Sequence, residues 1–416
     1  VTLSDDLMIK YSYKIFIPKT KMNRKIKLTY IFTHQIRWVQ FEWVAQYTDN
    51  SKFDIDYLIL NEGDPIVDFL QQMEIPYKTT FYNDYRNTPE VVKFIYDHLV
   101  ENKTDIVHTH WFAGHLAGLQ AAYYAKVPVR VYTTENTGIK WTRHARSKYE
   151  LIWQFATNAI AVTNQVKAGM IADGVPEDQI TVIPSGFDLT QYENIDPQRI
   201  KQLQDKYLKN HTGPVIGVSA RYVKWKGVEY IIEAFKKVLE THPNALLLLS
   251  GTHTDTKNIQ EQFQNITKDS TNKPNYAEAL SVVDKLAELP ADSYVEIYFE
   301  EDLFALFRLF DIFVHVSDPM IEAFGQSPID AMLSEVPSVI TATGIAQDFA
   351  IHKEHAWIVD YQNSQQIAEG ILTLLEDKSL REKIKQNALI SAKNYSIQNK
   401  MLKLEELYLR GCFKSS

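Results

Sequence analysis

The chain has 416 residues, 45% apolar and 23% charged, a balance ordinary for globular proteins and unlike that of disordered or membrane-embedded chains. Its 44 basic and 52 acidic side chains leave a formal charge of −8, which argues against nucleic acid as the main partner. The single cysteine, Cys412, excludes a disulfide framework or a Cys-based zinc site within one chain and fits a reducing, cytoplasmic setting; no run of about 18 apolar residues is present to span a bilayer.

Residues before Lys25 carry a mixed pattern without signal-peptide grammar. From there, short β-branched runs predict strands over Ile26–Phe32, Phe53–Leu60, Ile106–Thr109, Val129–Thr133, Ala159–Val162 and Ile180–Ile183. Helical patterns fall between them, over Pro89–Glu101 and Phe112–Tyr124. After Pro184-Ser-Gly-Phe-Asp188 a polar stretch runs to Gly213, and we place the domain boundary there. The same grammar then restarts, with strands over Val215–Ser219, Ala245–Leu249, Tyr294–Phe299, Ile312–Val316, Ser338–Thr341 and Trp357–Val359. Gly227–Thr241 spaces Ile231, Ile232, Phe235, Val238 and Leu239 along one helix face, Thr252–Pro274 reads as loop or solvated helix, and Ser379–Leu409 reads as helices. Strands alternating with helices predict parallel sheets covered on both faces. The expected architecture is α/β, two doubly wound Rossmann-like halves, with a ligand in the cleft at the carboxyl ends of the strands.

Three clusters point to chemistry. In Glu322-Ala-Phe-Gly-Gln-Ser-Pro-Ile-Asp330, Ser327 before Pro328 predicts a helix N-cap, so Gly325 and Gln326 would lie at a helix start that suits an anion. Glu322 before the helix and Asp330 in its first turn would face one mouth; the alternative is a capped helix with two solvated acids. In Ser219-Ala-Arg221-Tyr-Val-Lys224-Trp-Lys226-Gly227, cations between a strand and a helix suit a diphosphate, although a basic surface loop would look the same. In Asp105-Ile-Val-His108-Thr-His110-Trp111, two histidines share one strand face, yet no third metal ligand with suitable spacing accompanies them. His108 reads as a packed strand-end histidine, and His110 is open between a cleft role and a structural one.

The pairing of Arg221…Lys226-Gly227 with Glu322-x-Phe-Gly…Asp330 resembles the retaining glycosyltransferases of family 4. Asp-Ile-Val-His-Thr-His, Ile-Pro-Ser-Gly-Phe-Asp and Val-Pro-Ser-Val-Ile-Thr (336–341) fit that family in order and spacing, from Lys25 to the end. The resemblance implies a GT-B fold, a nucleotide-sugar donor, a saccharide or lipid-linked acceptor, no metal or other cofactor, and retention at the anomeric carbon. It implies an acceptor domain over 22–190, a donor domain over 191–395, and a terminal helix over 396–416 returning to the first domain. Arg221 and Lys226 would grip the diphosphate and Glu322 would meet the donor sugar. Phe324, Gly325 and Gln326 would line sugar and phosphate, Asp330 would take the ribose, and Glu296 to Leu303 would flank the base. Asp330 stands where the family usually has a longer Glu. The loop after the first strand, with Gln35, Arg37 and Trp38, lacks the glycines many members carry, and Glu135 or Asn136 stands where many have His. These departures keep open a non-catalytic nucleotide-sugar-binding subunit, and the same fold also serves nucleotide-sugar epimerases; a pyridoxal-dependent phosphorylase fits least. Peripheral contact with the inner membrane face is compatible with such an acceptor.

Overall fold

The computed structural model describes residues 24–33, 38–83, 88–137, 152–251 and 276–414. Gln35, Arg37 and the segment Thr252–Pro274 lie outside them, as do residues 1–23.

The first half builds one parallel sheet from β1 (Ile26–Phe32), β2 (Phe53–Ile59), β3 (Tyr77–Thr79), β4 (Ile106–His110), β5 (Val129–Thr134), β6 (Asn158–Ala161) and β7 (Ile180–Val182), in the order β3-β2-β1-β4-β5-β6-β7. Alternate residues serve opposite faces. Tyr30 and Tyr57 join one core, while Ile31, Leu58 and Val107 join another with Ile95 and Leu99 of the helix Thr88–Asn102. The expected helix Phe112–Tyr124 is present but widens into a π turn over Gly114–Leu119. There a Cβ on Gly114 would come within 2.9 Å of the Ile31 carbonyl, so glycine lets the helix lie close against β1.

The second sheet comprises β8 (Val215–Ser219), β9 (Leu246–Ser250), β10 (Tyr294–Ile297), β11 (Ile312–His315), β12 (Ser338–Thr341) and β13 (Trp357–Val359), all parallel, in the order β10-β9-β8-β11-β12-β13. The helix Val228–Thr241 buries Ile231, Ile232, Phe235 and Val238 against one face, beside the helix Ser364–Glu376. Leu203, Phe307 and Phe310 cover the other face at Val215, Leu248 and Phe313. Each sheet reverses its strand order once, at β1/β4 and at β8/β11, and at such points the loops leaving adjacent strands diverge to open a crevice.

Part of the polar stretch read as linker folds into the helix Pro197–Leu203, with Asp196 accepting from the Gln198 amide and Pro197 in the first turn. The last helix, Ile397–Lys414, leaves the second half and lies on the first sheet. Its Leu404, Leu407 and Tyr408 pack with Tyr30, Phe53 and Tyr57, and the Tyr408 hydroxyl meets Tyr30 Oη at 2.8 Å and His108 Nδ1 at 2.6 Å. Among the described residues no helix is long and apolar enough to cross a membrane.

Candidate active site

The loops at the carboxyl ends of the two sheets face each other across a cleft of about 750 Å³. Trp38, Glu135, Asn136, Val162 and Ser185 line it from the first half. From the second come Arg221, Lys226, Gly251 and the run from Ile321 to Ser327. Three contacts clasp the halves beside it: Thr163 Oγ1 donates to the Ala323 carbonyl at 3.0 Å, Gln165 Nε2 to the Pro319 carbonyl at 2.6 Å, and Phe187 stacks on Phe324 at 6.2 Å between centroids.

The cationic wall follows from local backbone geometry. After β8 the chain makes a single 3₁₀ turn, Lys224–Lys226, that ends on Gly227 at φ +61°. A side chain there would place its Cβ 2.3 Å from the Val316 carbonyl, so the strained conformation and the close approach both require glycine. The turn delivers Lys226 Nζ to Glu322 Oε2 at 2.5 Å, with the Trp225 ring 4.4 Å from the ammonium. Arg221 sits at the cleft edge, its guanidinium 5.9 Å from the same ring.

Glu322 arrives from the loop after β11. Asp318 shapes that loop: its carbonyl accepts from the Ile321 and Glu322 amides, its carboxylate accepts from the Met320 amide, and its own amide donates to the Trp225 carbonyl at 2.7 Å. The last bond joins the two loops that carry Lys226 and Glu322. His315 Nε2 lies 3.3 Å from Glu322 Oε2 and 2.7 Å from Ser317 Oγ. Burial pushes the Glu322 carboxyl up, but the Lys226 charge and the His315 contact outweigh it and hold the acid well below the usual carboxylate range. On Lys226 burial favours the neutral amine and the Glu322 charge opposes it. Each charge thus offsets part of the other's burial penalty. Burial, then the Lys226 charge, lowers the His315 pKa, so its imidazole is neutral.

The helix Gln326–Leu333 begins two residues earlier than the Ser327-Pro328 pattern suggests. Gly325, at φ +75°, is its N-cap; Ser327 makes no cap bond and Pro328 falls in the first turn, where its missing amide proton does no harm. Phe324, Gly325 and Gln326 consequently line the cleft at the positive end of this helix. The Phe324 carbonyl accepts from the Ile345 amide at 2.7 Å, and Gly344, at φ +55°, passes so close that a Cβ would lie 2.3 Å from that carbonyl.

Glu322 and Asp330 do not share one mouth. Asp330 is not among the residues lining the cleft; its Oδ1 accepts from the Tyr192 hydroxyl at 2.6 Å, and burial raises its pKa to about 7. Glu296, on β10, accepts from the Tyr222 hydroxyl at 2.9 Å, and Leu303 is the exposed first residue of the otherwise largely buried helix Leu303–Phe307; neither lines the cleft. Trp38 lies on the cleft wall, 5.0 Å from the Trp111 ring. His110 is buried one layer behind, with its Nδ1 3.6 Å from Glu135 Oε1, and only Glu135 of that pair reaches the cleft. His108 is packed, bonded to Tyr408 and to Thr133 Oγ1 at 2.7 Å. Among the described residues no group of three or more His, Cys, Asp or Glu side chains is placed to hold a metal ion.

Two family models match successive parts of the chain: Glycosyltransferase Family 4 over residues 45–191, and Glycosyl transferases group 1 over residues 199–390. The chain belongs to the family 4-like glycosyltransferases. This glycosyltransferase is 27% identical to the capsular polysaccharide biosynthesis glycosyltransferase CapM of Staphylococcus aureus, over 70% of this chain and 73% of that one. A crystal structure of a glycosyltransferase from Rickettsia africae superposes with a TM-score of 0.77 at 19% identity, covering 94% of this chain and 100% of the other. Anabaena Alr3699/HepE in complex with UDP-glucose superposes at 0.71 and 21% identity, covering 91% and 98%. The fold is thus GT-B, and the cleft between its halves is the candidate active site of the glycosyltransferase.

Sequence reasoning missed two parts of this site. His315 was hidden inside an apolar strand, although a histidine at the carboxyl end of a central strand is itself a signal. Lys400, from the terminal helix, reaches the layer behind Glu135, and nothing in an amphipathic tail distinguishes it from a solvated lysine.

Proposed function

We propose that the protein transfers a sugar from a nucleoside diphosphate donor to a hydroxyl of a saccharide or lipid-linked acceptor, with retention and without a metal ion. The observation that carries this reading is the gathering of Arg221, the Lys226–Glu322 pair and the Gly325 helix start on one wall of the cleft. Arg221 and Lys226 supply positive charge where the diphosphate leaves, and that charge grows as the bond breaks, so they favour the transition state over the ground state. Glu322 accepts from donor-sugar hydroxyls, and Phe324, Gly325 and Gln326 cover sugar and phosphate. In the transfer, the bond between anomeric carbon and diphosphate oxygen breaks. The acceptor oxygen attaches to the same face, and its proton passes to the leaving phosphate oxygen.

The likeness to CapM and to the Anabaena protein solved with UDP-glucose supports a polysaccharide setting and a UDP-sugar. The test is to incubate the protein with a panel of UDP-, GDP- and ADP-sugars, with and without a saccharide pool, and to follow products by NMR. An α-linked product from an α-linked donor supports the reading. Inversion refutes retention, and conversion of the donor alone into an epimer refutes transfer.

A further inference from the structure

Behind the first-half wall of the cleft lies a small void of about 10 Å³, with a largely apolar lining into which Gln40, His108, His110, Glu135, Ser185 and Lys400 also reach. It is too small for a sugar. Glu135, Val162 and Ser185 line both this void and the cleft, so Glu135 is the charged group that connects them. Its Oε1 stands 3.6 Å from His110 Nδ1, and neither Glu135 Oε2 nor His110 Nδ1 has a hydrogen-bond partner among the described residues although both are buried. Buried polar atoms left in this way are uncommon, and at a cleft wall they mark a place prepared for a ligand group. Lys400 closes the back. Its Nζ is 3.3 Å from Gln40 Oε1, and Gln40 bonds both the amide and the carbonyl of Gly186, where the chain crosses between the halves. Burial lowers the Lys400 pKa to about 8, and the nearby Glu135 charge opposes that shift.

We propose that Lys400 and His110 hold the Glu135 carboxylate toward the cleft as the hydrogen-bond acceptor for a hydroxyl of an uncharged sugar acceptor. This rests on the donor reading above. A carboxylate only accepts, so its partner must bring a proton. The cationic groups for diphosphate lie on the opposite wall, which leaves this wall to the acceptor. A phosphate or carboxylate on the acceptor at this point meets a like charge and is rejected. Glu135 touches substrate; Lys400 is a positioning residue that acts through it.

The experiment first titrates the protein with UDP, GDP and ADP, then adds methyl glucoside, methyl galactoside and methyl mannoside, or their 6-phosphates, to the diphosphate complex and measures binding by saturation-transfer NMR. A neutral glycoside should bind and its 6-phosphate should bind at least tenfold more weakly. Glu135→Gln should weaken the neutral glycoside about tenfold and narrow the discrimination, with diphosphate affinity unchanged. Lys400→Met should reproduce that selective loss and Lys400→Arg should largely restore it. Tighter binding of a 6-phosphate, absence of binding by every neutral glycoside, unchanged glycoside affinity in Glu135→Gln, or equal loss of glycoside and diphosphate in Lys400→Met overturns the proposal. Failure of all three diphosphates to bind the unaltered protein overturns the donor reading instead.

Discussion

Replacing Asp330 by Asn should stabilise the protein, and the gain should appear only as pH rises. The carboxyl is pushed from 3.8 to about 7 by burial, with the Tyr192 hydrogen bond opposing the shift. Below pH about 4 the acid is protonated in both folded and unfolded chains, and burial carries no charge penalty. Between about 4 and 7 the unfolded chain ionises while the folded one keeps its proton, so wild-type stability falls as pH rises; above about 7 the whole penalty is present. A displacement of roughly 3 units at about 1.4 kcal/mol each sets an upper value near 4 kcal/mol. The residue keeps some solvent exposure, which reduces the expected gain to about 2–4 kcal/mol. Asn carries no charge and still accepts from Tyr192, so its own contribution is flat with pH. Thermal unfolding of both proteins from pH 4.5 to 8.5 at fixed ionic strength measures this. The midpoint difference should open in favour of Asn by roughly 4–16 °C and level off above pH 8. A difference that stays constant across the range refutes the reasoning, because only an ionising buried group imposes that slope.

Lys226→Ala should lower turnover by about 10²–10³ and weaken nucleoside diphosphate binding, because it removes a fixed charge facing the leaving group. It also leaves the buried Glu322 without its cation and with only His315 beside it, so an unfolding midpoint several degrees lower should accompany it; unchanged kinetics in the folded variant counts against the assignment. Activity should survive excess EDTA, and loss that Mg²⁺ or Mn²⁺ restores would overturn the metal-free reading. Gly344→Ala should cut kcat/KM by roughly 10²-fold without touching substrate, because its Cβ must displace the Phe324 carbonyl from 2.3 Å. Kinetics like wild type in that variant would show that the Phe324 loop tolerates movement.

Much of this architecture was legible because parallel strands buried on both faces leave continuous apolar runs. Ile26–Phe32, Ser338–Thr341 and Trp357–Val359 fall where those runs put them. Tyr77–Thr79 gave no such signal, being a three-residue edge strand with only one neighbour and a lysine at its centre. Lys226, Glu322 and Phe324–Gln326 were readable as a cleft because strand ends and helix starts place their neighbours there. The helix start itself was misread: Ser-Pro is a common opening, but a glycine free to adopt φ +75° turned the chain two residues sooner. Asp330 was misplaced by one inference too many: the earlier helix start moves it out of the first turn, and a place near the start does not say which side of the helix Tyr192 will occupy. Contacts such as Tyr408 with His108, 300 positions apart, depend on a chain crossing that no local pattern encodes.

That crossing has a consequence for synthesis. The core beneath β1 and β2 is completed by Leu404, Leu407 and Tyr408, so the half made first on the ribosome lacks part of its own interior until the last helix emerges. Roughly 220 residues separate Ile183 from Leu404, and at about 5–20 residues per second translation needs roughly 10–45 s to cover them. During that interval Tyr30, Phe53 and Tyr57 lack the share of their cover that the last helix supplies. Apolar sheet surface left open for that long is where a nascent chain is prone to aggregate.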